Sequence, residues 1–433
     1  MESRGRHRPL VAVLAGLIVM AVTLAGHDVA SSSHAGGDTV WTTYESLSLV
    51  KEHNLTLNEW QGVLDEHPIH WGPNGHGDPA YVFPWGTAVV VAPIIGFLAA
   101  WDALAGHSLE DTLRDGFPPH EVENTVASAL VALAAGLIYL IALWELRSWA
   151  AAAAVALAFA FATSAFSTAS RALWSHGPAV LLIAAELAIL VRARHGTPRR
   201  DRLVPLLGPL FVLAYAVRPP TAVIAVALTG VVAVAHRRRL LPAVAATAVA
   251  GGAYVAVNMA AYQKLQLDYY DANRLTGSGT FFEALAGNLV SPQRGLLIWC
   301  PIVLLAVAGV VVARRQGTFD ALTGGLVVAL VLYWLVISTL GPWWAGYSTG
   351  PRLFTDALPL LVVLALPAVA RLRQGGWRGW LSRIVVAALL GFSLFTNHRG
   401  ATRFETQLWN DRPASVDLNA GRVWDWDDLQ FLR

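Results

Sequence analysis

The chain has 433 residues and a formal charge of +2, with 55% hydrophobic residues and only 14% charged ones. Soluble domains carry about 25% charged residues. The composition and the repeated apolar runs therefore exclude an ordinary soluble domain and predict an all-α polytopic membrane protein, with residues 1–433 as a single integral membrane domain. Cys300 is the only cysteine, which excludes an intramolecular disulfide and a cysteine-rich metal site.

Twelve apolar segments follow one another along the chain. They are residues 9–26, 81–105, 122–144, 150–166, 177–191, 203–217, 220–235, 240–260, 296–313, 320–340, 353–370 and 383–397. Segment 9–26, with arginines before it, resembles a signal peptide. The motif-bearing loop follows it at once, so we expect an uncleaved first helix.

Arginine clusters between the segments predict how the chain threads the membrane, because positively charged loops stay in the cytoplasm. All clusters fall on one side only if segment 81–105 does not cross, and its prolines and glycines suit an interfacial or re-entrant helix. We therefore predict about eleven transmembrane helices plus one juxtamembrane segment. The clusters are Arg4/Arg6/Arg8, Arg147, Arg192/Arg194/Arg199/Arg200/Arg202, Arg237/Arg238/Arg239, Arg314/Arg315 and Arg371/Arg373/Arg378/Arg383.

This threading places the amino terminus in the cytoplasm and most of the polar chain outside. The first extracytoplasmic loop is 27–121, with juxtamembrane helices, and the tail 398–433 is extracytoplasmic as well. Of the 29 acidic residues, 24 fall on the outer side. We therefore expect the functional site on the outer face of a multi-pass protein of the bacterial inner (plasma) membrane.

Asp38 is the predicted catalytic residue. It lies in the stretch Gly36-Gly37-Asp38 shortly after the first apolar run, and the glycines allow backbone or ligand to approach closely. A carboxylate before a helical pattern could equally be a helix N-cap. Its place in the most polar loop favours catalysis at a lipid-borne substrate, and Asp28 and Glu45 are weaker candidates.

A second outer turn carries Arg171 and His176 on either side of Trp174. An unpaired arginine facing lipid is costly, so we predict that Arg171 and His176 bind substrate. The alternative is an arginine that reaches the lipid headgroups beside an interfacial tryptophan.

Two further arginines precede predicted inward-running helices. Arg294 leads into the span that starts at residue 296, and Arg352 follows Trp344 and Tyr347 at the start of another span. Helix amino ends attract anions, so we predict that Arg294, Arg352, Trp344 and Tyr347 contribute to a phosphate-binding site. The alternative is a pair of interfacial anchors.

Other polar residues give weaker signals. Glu186 lies within a span and is a functional candidate by default, although it could simply pair with a neighbouring helix. The histidines His67, His70 and His76 match no metal-ligand spacing, so a divalent metal is possible but unsupported, and no cofactor is assigned. The acidic, tryptophan-rich tail could cover the outer cavity, bind acceptor or form an acidic surface.

These stretches together resemble the membrane-embedded GT-C glycosyltransferases, specifically bacterial relatives of the protein O-mannosyltransferase and aminoarabinose transferase group. The resemblance covers most of the chain. Besides Gly37-Asp38 and Ser46-Leu47-Ser48-Leu49, it rests on Tyr81-Val82-Phe83-Pro84-Trp85-Gly86-Thr87, Ser170-Arg171-Ala172-Leu173-Trp174-Ser175-His176-Gly177, Ser291-Pro292-Gln293-Arg294-Gly295-Leu296-Leu297 and Trp344-Ala345-Gly346-Tyr347-Ser348-Thr349-Gly350-Pro351-Arg352.

The resemblance implies a GT-C-like helix bundle and a glycosyltransferase that uses a polyprenyl-phosphate sugar donor and a cell-envelope acceptor (lipid, glycan or protein). It maps the family's first-loop base to Asp38, and Arg171 and His176 stand where many members have a second acidic residue. We expect inverting transfer on the extracytoplasmic side, with no nucleic-acid partner. The alternatives are a membrane transporter or lipid flippase, and a non-catalytic lipid-binding partner of an envelope enzyme.

Overall fold

The computed structural model of the chain describes residues 7–30, 37–116, 120–195, 200–267, 269, 280–374 and 377–433. Arg4, Arg6, Gly36 and Arg199, named above, lie outside the described residues. Within these ranges the chain is mostly helical. Its described strands form one antiparallel hairpin, in which β1 (Trp71–Pro73) pairs with β2 (Pro79–Tyr81).

The α-helices of the described residues carry numbers in chain order. They are α1 (His7–Asp28), α2 (Val40–Lys51), α3 (Gln61–Glu66), α4 (Gly86–Leu104), α5 (Leu109–Arg114), α6 (His120–Leu146), α7 (Trp149–Phe161), α8 (His176–Arg194), α9 (Leu207–Val217), α10 (Ala222–Ala235), α11 (Arg237–Tyr262), α12 (Phe281–Val290), α13 (Leu296–Trp299), α14 (Leu304–Arg315), α15 (Ala321–Ile337), α16 (Leu358–Arg373), α17 (Trp377–Thr402) and α18 (Phe404–Leu408). Short 3₁₀ turns and one π-helical turn (Ala165–Ala169) join several of them.

Seven stretches of helix in the described part of the chain are long and apolar enough to cross a membrane. They are Pro9–Asp28, Gly86–Leu104, His120–Leu146, His176–Arg194, Arg237–Tyr262, Arg352–Arg373 and Gly379–Thr402. Shorter apolar helices such as α7, α10 and α15 lie between them. The predicted all-helical class is therefore confirmed, and these apolar helices are compatible with a membrane protein, whereas the number of spans, their orientation and the membrane itself stay predictions.

The structure separates two sets of helix ends. Arg194 at the end of α8 contacts Glu145 (3.4 Å) and Asp320 (2.8 Å), so arginine-rich ends of several helices lie together. The opposite ends of α8 and α16 meet elsewhere, where His176 Nδ1 lies 2.7 Å from Asp356 Oδ1. This arrangement agrees with a one-sided placement of the arginines.

Segment 81–105 forms the end of β2 and then the continuous helix α4, which lies along α2. Ser46 Oγ of α2 donates to the Ala88 carbonyl (3.3 Å). Helix α5 then brings the chain back to α2, where Tyr44 Oη donates to the Leu113 carbonyl (3.0 Å). The start of α4 and helix α5 therefore both contact α2. Because α4 also has the length and composition of a span, its placement stays a prediction.

The predicted span 296–313 is interrupted in the structure. Pro301 has no N–H to donate and ends α13, and the helix resumes only in α14. Polar side chains of α17 satisfy the carbonyl that the break leaves free: Thr396 Oγ1 and Asn397 Nδ2 donate to the Trp299 oxygen (2.6 and 3.1 Å). Such replacement bonds are what a broken helix inside a membrane requires.

Small residues allow the central helices to approach closely, which is how helices associate in lipid. Buried alanines of α6 and α7 fill their contact, and they are Ala134, Ala135, Ala142, Ala152, Ala156 and Ala160. The tightest approach is between α14 and α16, where a Cβ added at Gly309 would lie 1.9 Å from the Leu364 carbonyl oxygen. Only glycine fits at this position without displacing α16.

We expect Gly309→Ala to lower the free energy of unfolding by about 1–3 kcal/mol, because overpacking forces the backbone of α16 to shift. The measurement is thermal unfolding of the purified protein in detergent. Gly251→Ala on α11 is the control, because nothing lies within 4 Å of a Cβ added there. Equal stability of the two variants would contradict the close approach of α14 and α16.

Candidate functional site

A cavity of about 780 Å³ lies where the starts of α2, α8 and α16 meet the turn between α9 and α10 and the end of α15. We call it the Asp38 cavity. Its polar wall is formed by Asp38, Ser175, His176, Arg218, Tyr269 and Arg352. Its apolar wall is formed by Val217, Val223, Val336, Leu340 and Leu353. A molecule bound in this cavity would therefore contact charged side chains on one wall and apolar side chains on the other.

Asp38 lies in a 3₁₀ turn (Gly37–Thr39) just before α2, and its side chain is 45% exposed. Gly37 adopts a φ of +57°, which favours glycine. The Tyr81 hydroxyl donates to the Asp38 carbonyl and fixes the turn. The residue before α2 is Thr39, and no side chain caps this helix. The N-cap alternative for Asp38 is therefore wrong, and its carboxylate faces the cavity.

Arg352 brings a guanidinium to the same cavity. One of its terminal nitrogens lies 3.8 Å from an Asp38 carboxylate oxygen, and its Cζ lies 4.0 Å from the centre of the Trp174 ring. Its Nε donates to His176 Nε2 (3.2 Å). The side chain is only 15% exposed, so the ring and the imidazole hold the charge in one orientation.

His176 is fully buried and links Arg352 to a buried carboxylate. Its Nε2 accepts from Arg352, so the ring proton lies on Nδ1 and is donated to Asp356 Oδ1 (2.7 Å). The second Asp356 oxygen accepts from Arg218 Nε and from the Tyr333 hydroxyl. Four side chains, from α8, α15, the 3₁₀ turn before α16 and the α9–α10 turn, therefore form one connected network, which fixes the imidazole and Arg352.

Arg218 keeps its charge inside this network. Burial by itself lowers the pKa of Arg218, but the adjacent Asp356 carboxylate, together with Tyr333 and Tyr269, more than offsets burial and raises the pKa above its usual value. Arg218 also donates to Ser175 Oγ (3.3 Å). Arg218 therefore has a close carboxylate partner in Asp356. Arg352 lies further from its carboxylate partner, Asp38, at 3.8 Å, so its charge is less well neutralised.

The structure does not bring Arg171 to the Asp38 cavity. Arg171 is fully buried, and its guanidinium donates to the carbonyls of His27 in the last turn of α1 and Ala30 just past it, and to Ser170 Oγ. These bonds satisfy carbonyls at a helix end. Arg171 therefore connects the end of α1 to the turn before α8 through hydrogen bonds, and it has no part in the proposed site.

Arg294, Trp344 and Tyr347 contact the C-terminal tail instead of Asp38. Arg294 donates to Gln430 Oε1 and Asn410 Oδ1, both at 2.7 Å, and to backbone carbonyls that include that of Trp344. Trp344 Nε1 and the Tyr347 hydroxyl bind side chains of residues 417 and 415 (both 2.8 Å). The tail therefore packs on the loop that forms part of the cavity wall.

Glu123 is a buried carboxylate that the sequence reading did not single out. Its Oε2 accepts from Thr39 Oγ1 (2.7 Å) and from the Leu173 backbone N–H (3.4 Å). Thr39 follows Asp38, and Leu173 precedes Trp174. Glu123 therefore joins the turn that carries the candidate base to the turn that carries the aromatic support of Arg352.

Glu45 is a second buried carboxylate of the first loop, but it faces Tyr262 and not the Asp38 cavity. The Tyr262 hydroxyl lies 3.4 Å from Oε1, while Oε2 has no hydrogen-bond partner in the described part of the chain. Burial raises the pKa of Glu45 well above its usual value, against a small lowering by Tyr262.

Because the folded-state pKa of Glu45 is raised, the folded protein holds this proton to higher pH than the unfolded chain does. Stability is therefore lost as pH rises above the unfolded pKa of about 4.3, by up to about 1.4 kcal/mol per pH unit. We expect Glu45→Gln to remove this loss, so that its advantage in unfolding temperature grows between pH 5 and 8. Exposed Glu52 provides the control, Glu52→Gln, and a pH-independent difference would contradict the prediction.

The remaining candidates lie apart from the cavity or at its edge. Glu186 is buried in α8, with an Oε1 that has no partner among the described residues. His76 Nε2 contacts the Ala260 carbonyl (2.9 Å), whereas His70 Nε2 lies 3.7 Å from Asp38. Among the described residues, no group of three or more His, Cys, Asp and Glu side chains is placed to hold a metal ion.

The arrangement joins an accessible carboxylate, a buried and oriented guanidinium, and an apolar wall within one cavity. A carboxylate can accept a proton, and a guanidinium in a water-poor site can bind a phosphate or stabilise developing negative charge. In comparisons with known proteins, no family model matches the chain, and no curated protein matches it either.

Proposed function

We propose that the chain is a glycosyltransferase that moves a sugar from a polyprenyl-phosphate donor to a cell-envelope acceptor on the extracytoplasmic side of the membrane. The observation that carries the proposal is that Asp38 and Arg352 lie side by side in the wall of one cavity, with a carboxylate oxygen and a guanidinium nitrogen 3.8 Å apart. The Asp38 carboxylate can accept the proton of the acceptor hydroxyl, and the Arg352 guanidinium can bind the leaving phosphate.

The donor phosphate binds at Arg352 and replaces Asp38 as the partner of the guanidinium. Trp174 and His176 already hold this guanidinium in place, so little side-chain freedom is lost when the phosphate binds. The apolar wall, with Val223, Val336 and Leu340, accepts the first isoprenoid units of the donor.

Transfer then needs one proton acceptor and one stabilised leaving group. Asp38 takes the proton of the acceptor hydroxyl while that oxygen forms a bond to the anomeric carbon. The bond between the anomeric carbon and the phosphate oxygen breaks, and its electron pair leaves with the lipid phosphate. Arg352 stabilises the charge that builds up there. Attack opposite the leaving group inverts the anomeric centre.

Incubation of the purified protein with a radiolabelled polyprenyl-phosphate sugar and crude envelope acceptors tests the proposal. A transferase moves the label from the lipid to a new species, and the free polyprenyl phosphate appears in equal amount. In sealed vesicles, a transporter or flippase would move the labelled lipid across the bilayer without breaking this bond. A lipid-binding partner would retain the label on the intact donor, and either of these results would overturn the proposal.

A further inference from the structure

A second cavity has a volume of about 620 Å³ and is lined by other residues than the Asp38 cavity. It separates α17 from α7, α16 and the start of α14, and we call it the α17 cleft. Its walls are almost wholly aliphatic, with Ala154 and Ala158 of α7, Leu361 and Ala365 of α16, and Val386 and Leu390 of α17. The cleft shares no lining residue with the Asp38 cavity.

Helix α17 is much more exposed than α16, with which it borders the cleft. Of the apolar window in Gly379–Thr402, 11% is buried, against 72% for the window in Arg352–Arg373. The side chains that α7 presents to the cleft are mainly alanines, whose small volume leaves space between α7 and α17.

Charge is concentrated at one end of the cleft. Arg373 and Arg383 line this end, and both side chains are exposed. Arg373 Nη1 donates to the Leu146 carbonyl (2.9 Å), and Arg383 donates to the Leu372 carbonyl (3.1 and 3.2 Å). Their hydrogen bonds within the described residues thus go to backbone oxygens, so their two positive charges have no carboxylate to neutralise them there.

We propose that the α17 cleft binds one anionic phospholipid, with its phosphate at Arg373 and Arg383 and an acyl chain between α7 and α17. Two cations at one end of a long aliphatic channel match the amphiphilic shape and the charge of such a lipid. The 13 residues of α7 measure roughly 20 Å, which exceeds the ~15 Å depth of one leaflet. The site is independent of the proposed transfer reaction.

Native mass spectrometry of the full chain in mild detergent tests the proposal, with phosphatidylglycerol and phosphatidylcholine added as probes. We expect one phosphatidylglycerol to bind about tenfold or more tightly than phosphatidylcholine, whose choline cation offsets its phosphate, because each arginine near an anionic lipid contributes about 1 kcal/mol. The double variant R373Q/R383Q should lose this preference. Both side chains are exposed, so the fold should tolerate their replacement.

A matched pair of substitutions tests the aliphatic part. Val386 lines the cleft, whereas the adjacent Val385 is 50% exposed and does not. Val386→Trp should fill the cleft and lower lipid occupancy at least tenfold, while Val385→Trp should bind lipid as the wild type does. Equal binding of both lipids by the wild type, unchanged binding by Val386→Trp, or a lipid-free dimer that occupies the cleft would overturn the proposal.

Discussion

Replacing Asp38 by asparagine is expected to lower sugar transfer by about 10²–10⁴-fold, the usual contribution of a general base. Asparagine has nearly the same shape as aspartate but cannot accept the acceptor proton. The backbone turn is held by the Tyr81 hydroxyl on the Asp38 carbonyl, and the side chain is 45% exposed. Folding and donor binding should therefore stay close to those of the wild type.

Initial rates with the radiolabelled donor, measured beside donor binding without acceptor, separate catalysis from binding. Asp38→Glu keeps the carboxylate one methylene further out and should recover part of the rate. Asp65→Asn is the matched control, because Asp65 is an exposed carboxylate of the same loop that contacts Gln61. Full transfer activity in Asp38→Asn would remove the base assignment.

The helical membrane class and the shared position of Asp38, His176 and Arg352 were predictable from the sequence. Long apolar runs allow almost no fold other than a helix bundle, because backbone groups in lipid must bond within the segment. One-sided threading then brings the ends of many helices to the same face. Asp38, His176 and Arg352 lie at such ends and therefore meet on that face.

The roles of Arg171 and Arg294 could not be predicted in this way. Both arginines lie at the same kind of helix boundary as Arg352, and the sequence pattern is similar for all three. What separates them is tertiary: the guanidinium of Arg171 meets the carbonyls of His27 and Ala30, and Arg294 meets the tail. Carbonyls are present at every residue, so no local pattern shows which arginine they will satisfy.

Asp356 was missed although a signal for it exists. It follows Arg352 by four residues within one 3₁₀ turn, Arg352–Ala357, at the start of a predicted span. A carboxylate at that depth requires a charged or hydrogen-bonded partner. The sequence offers one such partner in Arg218, which directly precedes two prolines. The pairing itself depends on how α9, α10 and α16 meet.

Replacing Arg352 by glutamine is expected to weaken donor binding by about 10²-fold, because a buried, charge-assisted contact to the phosphate is lost. Arg352→Lys keeps the charge but loses the flat contact with Trp174 and the bond to His176, so its effect should be intermediate. The measurement is the dissociation constant of the polyprenyl-phosphate sugar in the absence of acceptor. Arg403→Gln, at an exposed arginine of the tail, is the control.

Only the Arg352 substitution should weaken donor binding, a difference between the two variants that a general loss of folding cannot produce. The Asp38 carboxylate is the closest described acidic partner of Arg352 and repels a phosphate that approaches it. Removing its charge should therefore leave donor binding unchanged or slightly tighter, while removing the guanidinium weakens it. If Arg352→Gln bound the donor as well as the wild type did, the phosphate would have to lie elsewhere, and the cavity would lose its assigned leaving-group site.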